Sequence, residues 1–354
     1  MYSFARDLSV CYISSEHGLA LPRANDKPAN LGGFETAIRI SKTKLNVKFK
    51  IVDTASQSLL SRLSALKSEN CDAVVGLVSS RDALLAARTL KKLKILALSS
   101  TATSDDLSEG LPYLKSLASS QTAMAKSLKL ELKKRKIDNA IIVYQPEETF
   151  SDLYKDILKH VLTIDLEFFP LSSENTLPAA FYDKIVSRPK PVIFATYPTS
   201  SVSALGKIET LAKLHSELEM LPIFGNQTWL EPQGFQSRKE VEKILRNITV
   251  FSTWDFSISE KFIPALHNFF SEYHVPMDHD SAYDFDAMQF LIQCAERAGP
   301  SELVSEAIAG CFNRDKTFVG LTGEYTFRKN NAHPTRIDRP YPFRSSSYIL
   351  NSSK

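Results

Sequence analysis

Glycine is scarce in this chain, 12 of 354 residues, and no two glycines stand two positions apart. The GxGxxG fingerprint is therefore absent, as is the GxxxxGK(S/T) phosphate loop, so a dinucleotide or nucleoside-triphosphate site of the usual kind is excluded. No GxSxG elbow presents a serine nucleophile. Cysteine is equally sparse. Cys11, Cys71, Cys294 and Cys311 form no CxxC pair and no zinc spacing; lying in or beside predicted strands and helices, they read as small buried residues rather than disulfide partners. Neither sign of charge dominates, with Lys+Arg 43 against Asp+Glu 40 and a net charge of +3. That balance leaves no electrostatic footprint for nucleic acid or an anionic membrane. No apolar run approaches the roughly 18 residues needed to cross a bilayer. At the N-terminus, Arg6 and Asp7 stand where the apolar core of a signal peptide would lie. The chain thus reads either as cytosolic or as a mature form whose leader has been removed.

What is present is an ordinary soluble balance, 43% hydrophobic and 23% charged, in a length that suits two domains. Strands alternate with helices throughout. Leu8–Ser14 reads as a first buried strand and Gly33–Ser41 as the helix after it. Val47, Phe49 and Ile51 alternate with lysines, the period-2 mark of an edge strand. Strand Ala73–Val78, helix Asp82–Leu90 and strand Ile95–Ser99 follow. A second series runs through helix Thr122–Lys134, strand Asn139–Tyr144, helix Ser151–Val161 and strands at Leu166–Leu171, Val192–Thr196 and Pro222–Gly225. Such alternation predicts α/β architecture with mainly parallel sheets in two Rossmann-like halves. Ala287, Leu291, Cys294 and Ala298 predict a long amphipathic helix, Ser301–Cys311 another, and Gly323–Arg328 and Ser347–Leu350 strands. Pro334–Arg344 reads as irregular connection.

In open parallel sheets ligands bind beyond the carboxyl ends of the strands. Two such ends are rich in hydroxyls: Ser79 and Ser80, leading into a helix, and Ser99–Thr103, with Thr101 and Thr103. Unpaired amides at the helix start favour an anion there, although N-capping by Ser80 and Thr103 accounts for the same residues equally well. His274 and His279 read as solvated loop rather than as metal ligands. Lys133–Lys136 reads as a cationic helix end.

Around these residues the sequence resembles the type I periplasmic binding proteins, in particular the leucine/isoleucine/valine-binding branch. The resemblance is carried by Gly76–Leu107 (GLVSSRDALLAARTLKKLKILALSSTATSDDL), VYQPEETFSDLY from Val143, AYDFDAMQFLIQCAERAG from Ala282 and GLTGEYTFRKN from Gly320. It implies two lobes, 1–118 with 254–328 and 119–253 with 329–354, joined by three hinge strands near Leu117–Ser119, Ser252–Asp255 and Phe327–Asn331. It implies a ligand carboxylate held by Ser80, Thr103 and the backbone of Thr101, with Ser79 beside them. Phe150 and Tyr197 take the places of family aromatics, and His17 lies where members often touch ligand, although a lone histidine is more often a surface residue. Where amino-acid binders carry an acid for the α-ammonium, this chain has Asn226 and Gln227, with Trp229 nearby; a buried ammonium would lack a counter-charge there. The three aromatics Phe150, Tyr197 and Trp229 either line an apolar or aromatic side-chain pocket or, as such residues more often do, simply belong to the core. The resemblance further implies a small carboxylate-bearing ligand, delivery to ABC transporter membrane subunits, no cofactor, no nucleic acid, no membrane insertion and a periplasmic or extracellular home. A ligand sensor of the same fold and, more remotely, an enzyme in a two-lobed cleft are the competing readings.

Overall fold

A computed structural model describes residues 7–13, 31–52, 58–230, 248–252, 260–274, 277–298, 303–314, 316–336 and 339–342. His17 and the strand expected at Ser347–Leu350 lie outside these residues. The chain forms two compact units, one of Met1–Ser120 with Phe256–Arg336 and one of Gln121–Asp255 with Ile337–Lys354.

The first unit begins β1 (Asp7–Ile13), α1 (Gly32–Ile40), β2 (Asn46–Val52), α2 (Leu59–Ala65), β3 (Ala73–Gly76), α3 (Ser80–Leu93), β4 (Leu96–Ser99) and β5 (Leu114–Ser116). These strands make one sheet in the order β2-β1-β3-β4-β5, parallel throughout. Strand β2 is indeed an edge: Val47 and Phe49 are half-buried while Ile51 is 57% exposed. Gly76 and Leu77, at φ +98° and +51°, turn the chain sharply out of β3; a side chain at Gly76 would run into the carbonyl of Ile13.

The second unit contains α4 (Gln121–Lys134), β6 (Asn139–Tyr144), α5 (Thr149–Val161), β7 (Asp165–Pro170), α6 (Ala179–Ser187), β8 (Val192–Phe194), α7 (Pro198–Ala212), β9 (Ile223–Gly225) and β10 (Ile248–Ser252). Period-2 alternation divides its strands between two cores. Ile141, Val143, Val192, Phe194, Ile223 and Val250 face Phe181, Leu205 and Trp229. Ala140, Ile142, Ile193, Phe224 and Phe251 face Met124, Leu128, Phe150 and Tyr154.

The chain then returns to the first unit as α8 (Ile263–Tyr273), α9 (His279–Ala295), α10 (Val304–Phe312) and the hairpin β11 (Lys316–Gly320) and β12 (Gly323–Phe327). It ends in β13 (Arg339–Pro342), antiparallel to β10. The second sheet thus runs β13-β10-β9-β8-β6-β7. The stretch expected to be irregular is therefore partly a strand, and its prolines are tolerated because β13 sits at a sheet edge.

Four further expectations are corrected. The cysteines are paired, Cys11 with Cys71 and Cys294 with Cys311, at Cα separations of 5.8 and 5.7 Å, ordinary for disulfides. Cys71 stands two residues before the start of β3, which lies beside β1 in the sheet, so residues 60 apart in sequence become neighbours. Helix α9 is not amphipathic but buried nearly all round. Its acids are answered internally: Asp286 accepts from the amides of Leu321 (2.5 Å) and Thr322 (2.9 Å), and from the hydroxyls of Thr322 and Tyr325 (both 2.9 Å). His279 is not in a solvated loop; it opens α9, buried, its ring 4.6 Å from that of Tyr283. Finally, the last passage between units falls after Arg336, later than Phe327–Asn331. Buried Lys115 explains this by donating to the carbonyls of Arg328, Lys329 and Asn331 at 3.0, 3.4 and 2.7 Å. The His333 ring meets the carbonyls of Ala118 and Ser104, both at 2.8 Å. These contacts keep 328–336 with β5.

Candidate functional site

The two hydroxyl-rich turns of the first unit are laced together. Ser99 Oγ donates to the Leu77 carbonyl at 2.9 Å and Thr101 Oγ1 to the Val78 carbonyl at 3.0 Å. In the other direction, Ser80 Oγ accepts from the amides of Thr103 and Ser104, both at 3.1 Å. The turns follow β3 and β4, adjacent strands whose carboxyl ends finish at the same edge of the sheet.

Capping falls on other residues. Ser79 caps α3 by accepting from the Asp82 amide at 3.0 Å, and Ser104 caps the short turn 105–110 by accepting from Asp106. Ser80 and Thr103, one position away in each case, are released from that duty. Ser80 still has its hydroxyl proton to donate, since both of its contacts are accepted. No acceptor among the described residues meets the amides of Ser80, Arg81 or Thr101. A hydroxyl and these amides form a donor set suited to a carboxylate. The helix dipole alone would add only about 0.3–1 kcal/mol, and Asp82 already brings a buried acid to that first turn; the local donors must carry most of the grip.

One residue beside this loop was not singled out in the sequence. Asp284 of α9 accepts a hydrogen bond from Ser100 Oγ. Burial pushes the Asp284 carboxyl well above the usual carboxylate range, with Asp280 and Asp278 adding to the rise and the Ser100 bond opposing it. Nothing local marks Asp284 in the sequence, because it comes from a helix far along the chain.

In the second unit Phe150 and Tyr197 come together, their rings 5.1 Å apart. Both belong to the side of the sheet formed with α4 and α5, where Phe150 is also anchored through its carbonyl by the Gln121 amide at 3.0 Å. Trp229 does not join them. It is fully buried on the opposite face, its indole N–H donating to the Thr196 carbonyl at 2.9 Å and its ring packed over Gly225. Of the three aromatics, Trp229 thus belongs to the core. Asn226 is likewise internal: its amide N–H group donates to the carbonyls of Thr196 (3.0 Å) and Phe194 (3.4 Å), and its Oδ1 accepts from the amide and hydroxyl of Thr228 (2.9 and 2.6 Å). Gln227 is buried beside it, 2% exposed.

Among the described residues no group of His, Cys, Asp and Glu is arranged to hold a metal ion. No helix among them is long and apolar enough to cross a membrane.

No family model and no curated protein matches the sequence. Solved structures do. The branched-chain amino acid transporter substrate-binding protein LivJ from Streptococcus pneumoniae, in complex with isoleucine, superposes with a TM-score of 0.76 at 15% identity, over 96% of this chain and 97% of that one. The fold is that of the type I periplasmic binding proteins. An amino acid ABC transporter substrate-binding protein from Pseudomonas fluorescens gives 0.74 at 13% identity, covering 98% of both chains. A solute-binding protein from R. palustris in complex with 4-hydroxybenzoate gives 0.72 at 12% identity, covering 93% and 91%. At these identities the likeness speaks for the type I fold itself.

Proposed function

We propose that this chain is the solute-binding protein of an ABC transporter and takes a small carboxylate-bearing ligand without changing it chemically. The observation that carries the reading is the lacing of the Ser79–Ser80 and Thr101–Thr103 turns through Ser80, which gathers unpaired donors at one strand edge. The carboxylate accepts from the Ser80 hydroxyl and the local amides, with Thr103 adjoining. Phe150 and Tyr197 offer apolar surface for the rest of the ligand. A ligand that binds one conformation better than another shifts the population toward it. Two fully oxidised cysteine pairs support an extracytoplasmic home, since disulfides are rare in most cytosolic proteins. The ligands of the LivJ and R. palustris proteins, isoleucine and 4-hydroxybenzoate, share only a carboxylate on an apolar body. That common element is the part of the ligand assigned here.

Mass spectrometry of small molecules released from the purified protein, together with a thermal-shift screen of carboxylates, tests the reading. Saturating ligand at about 100 times its Kd raises stability by about 2.7 kcal/mol. Stabilisation only by compounds lacking a carboxylate defeats the proposal, and turnover of the bound compound replaces it with an enzyme.

A further inference from the structure

We propose that His333 is an imidazolium that positions the Thr103–Ser104 turn for the ligand carboxylate, so that carboxylate affinity falls as this ring loses its proton. This rests on the carboxylate-binding reading above and adds its regulation. Every residue involved lies in the first unit.

His333 is 4% exposed, and each of its ring nitrogens meets a backbone carbonyl at 2.8 Å: Nδ1 that of Ala118, Nε2 that of Ser104. A carbonyl oxygen only accepts, and a neutral imidazole carries a single N–H. In either neutral tautomer one nitrogen lone pair would therefore face an oxygen lone pair at hydrogen-bond distance, in a buried site. The imidazolium donates to both carbonyls, and a bond from a charged donor is about twice as strong as a neutral one. Charged side chains stand on every element around the ring. Lys115 of β5 donates to the Asn331 carbonyl at 2.7 Å, Arg336 on the same segment to the Leu117 carbonyl at 3.5 Å, and Arg328 and Lys329 are exposed after β12. Asp105, Asp106 and Glu109 belong to the 105–110 turn, and Asp284 of α9 reaches the loop at Ser100. None of these side chains bonds the ring; its partners are the two carbonyls.

The two carbonyls frame the hydroxyl-rich turns. Ser104 receives the ring at its carbonyl, while its amide donates to Ser80 Oγ at 3.1 Å beside the amide of Thr103. Ala118 follows β5, where Ser116 Oγ donates to the Ala102 carbonyl at 2.7 Å and the Leu117 amide to the Ser99 carbonyl at 2.9 Å. The ring thus ties the end of the 99–104 loop to the strand that backs it. A neutral ring must release one carbonyl. That of Ser104 has a second donor, the Leu107 amide at 3.2 Å, whereas no other donor among the described residues meets that of Ala118. A buried acceptor left without a donor is costly, so the Ser104 contact is the one given up. The turn that holds Ser80 then loses its brace.

The experiment joins two measurements on the full chain. Nitrogen-15 NMR of the histidine rings, with His333 assigned through its backbone, should show a proton on both ring nitrogens at pH 6. Titration calorimetry with isoleucine and with 4-hydroxybenzoate should show the affinity of the compound that binds falling roughly tenfold from pH 6 to 9. His333→Gln, neutral throughout, should bind more weakly than wild type at pH 6 and equal it by pH 9. Every other titrating group, Lys115 at about 8 included, is common to both proteins, so the ratio of their affinities reads His333. A single ring N–H at pH 6 overturns the proposal, and this measurement on the wild type decides it if His333→Gln does not fold. A ratio that stays constant with pH, as a purely structural role would give, overturns it too. If neither compound, nor any carboxylate of the screen above, binds the wild type, the parent reading has failed and this one falls with it.

Discussion

Removing the disulfides one at a time gives a quantitative test of the first unit. The Cys11–Cys71 bond closes a separation of 60 residues and Cys294–Cys311 one of 17. The chain-entropy relation puts their stabilisation at about 4 and about 3 kcal/mol. The logarithm compresses the difference in loop length to about 1 kcal/mol. Both bonds lie in the first unit, so Cys11→Ala/Cys71→Ala and Cys294→Ala/Cys311→Ala should lower the same unfolding transition, the first pair by more. The volume lost with two sulfurs is common to both variants and cancels in the comparison. Trp229 is buried in the second unit. Tryptophan fluorescence in urea, read in a Trp254→Phe background, therefore follows the unit without disulfides, while circular dichroism follows both. The expected result is a loss of secondary structure at lower urea with the fluorescence midpoint unmoved. A fluorescence midpoint that shifts with either variant, or a larger loss from the shorter loop, refutes the reasoning.

Two more outcomes follow from single side chains. Ser80→Ala should weaken carboxylate binding about tenfold or more and also lower stability by about 1–3 kcal/mol, because the Thr103 and Ser104 amides lose their acceptor; Ser80→Thr should restore both, and calorimetry paired with thermal melts reads the two effects. Unchanged binding by Ser80→Ala removes it from the site. Burial lowers the Lys115 ammonium from 10.5 to about 8, so between these values the unfolded chain holds a proton that the folded chain has lost and stability rises with pH. The advantage of wild type over Lys115→Met should therefore widen from pH 8 to 10.5, by about 3 kcal/mol at most, in urea midpoints; a constant difference contradicts the burial argument.

What the sequence revealed was governed by local pattern. Short apolar runs such as Ala140–Val143 and Val192–Phe194 placed strands, and the hydroxyls at Ser79–Ser80 and Thr101–Thr103 marked the strand ends that the fold brings together. What stayed hidden depended on sheet order and on distant helices. Cys11 and Cys71 have no spacing that betrays a bond, because their proximity exists only once β3 lies against β1. Asp284 sits on a helix whose apolar residues suggested one buried stripe, whereas nearly every face is covered. Trp229 was read with Phe150 and Tyr197 because aromatics near strand ends look alike in sequence; the pleat sends it to the other side of the sheet. Capping was misassigned by a single residue at both turns, which is the usual resolution of a pattern argument.

Helix α1 shows what this topology means at the bench. Its Gly33 lies so near α9 that a side chain there would strike the Ser281 carbonyl and Asp284, and Gly32 abuts Phe269 and Tyr273 of α8 in the same way. A fragment ending at Ser120 would carry all five strands of its sheet yet leave this glycine face bare to water. Such a truncation should come out insoluble, whereas co-expression with residues 256–336 supplies the missing cover and should recover soluble material.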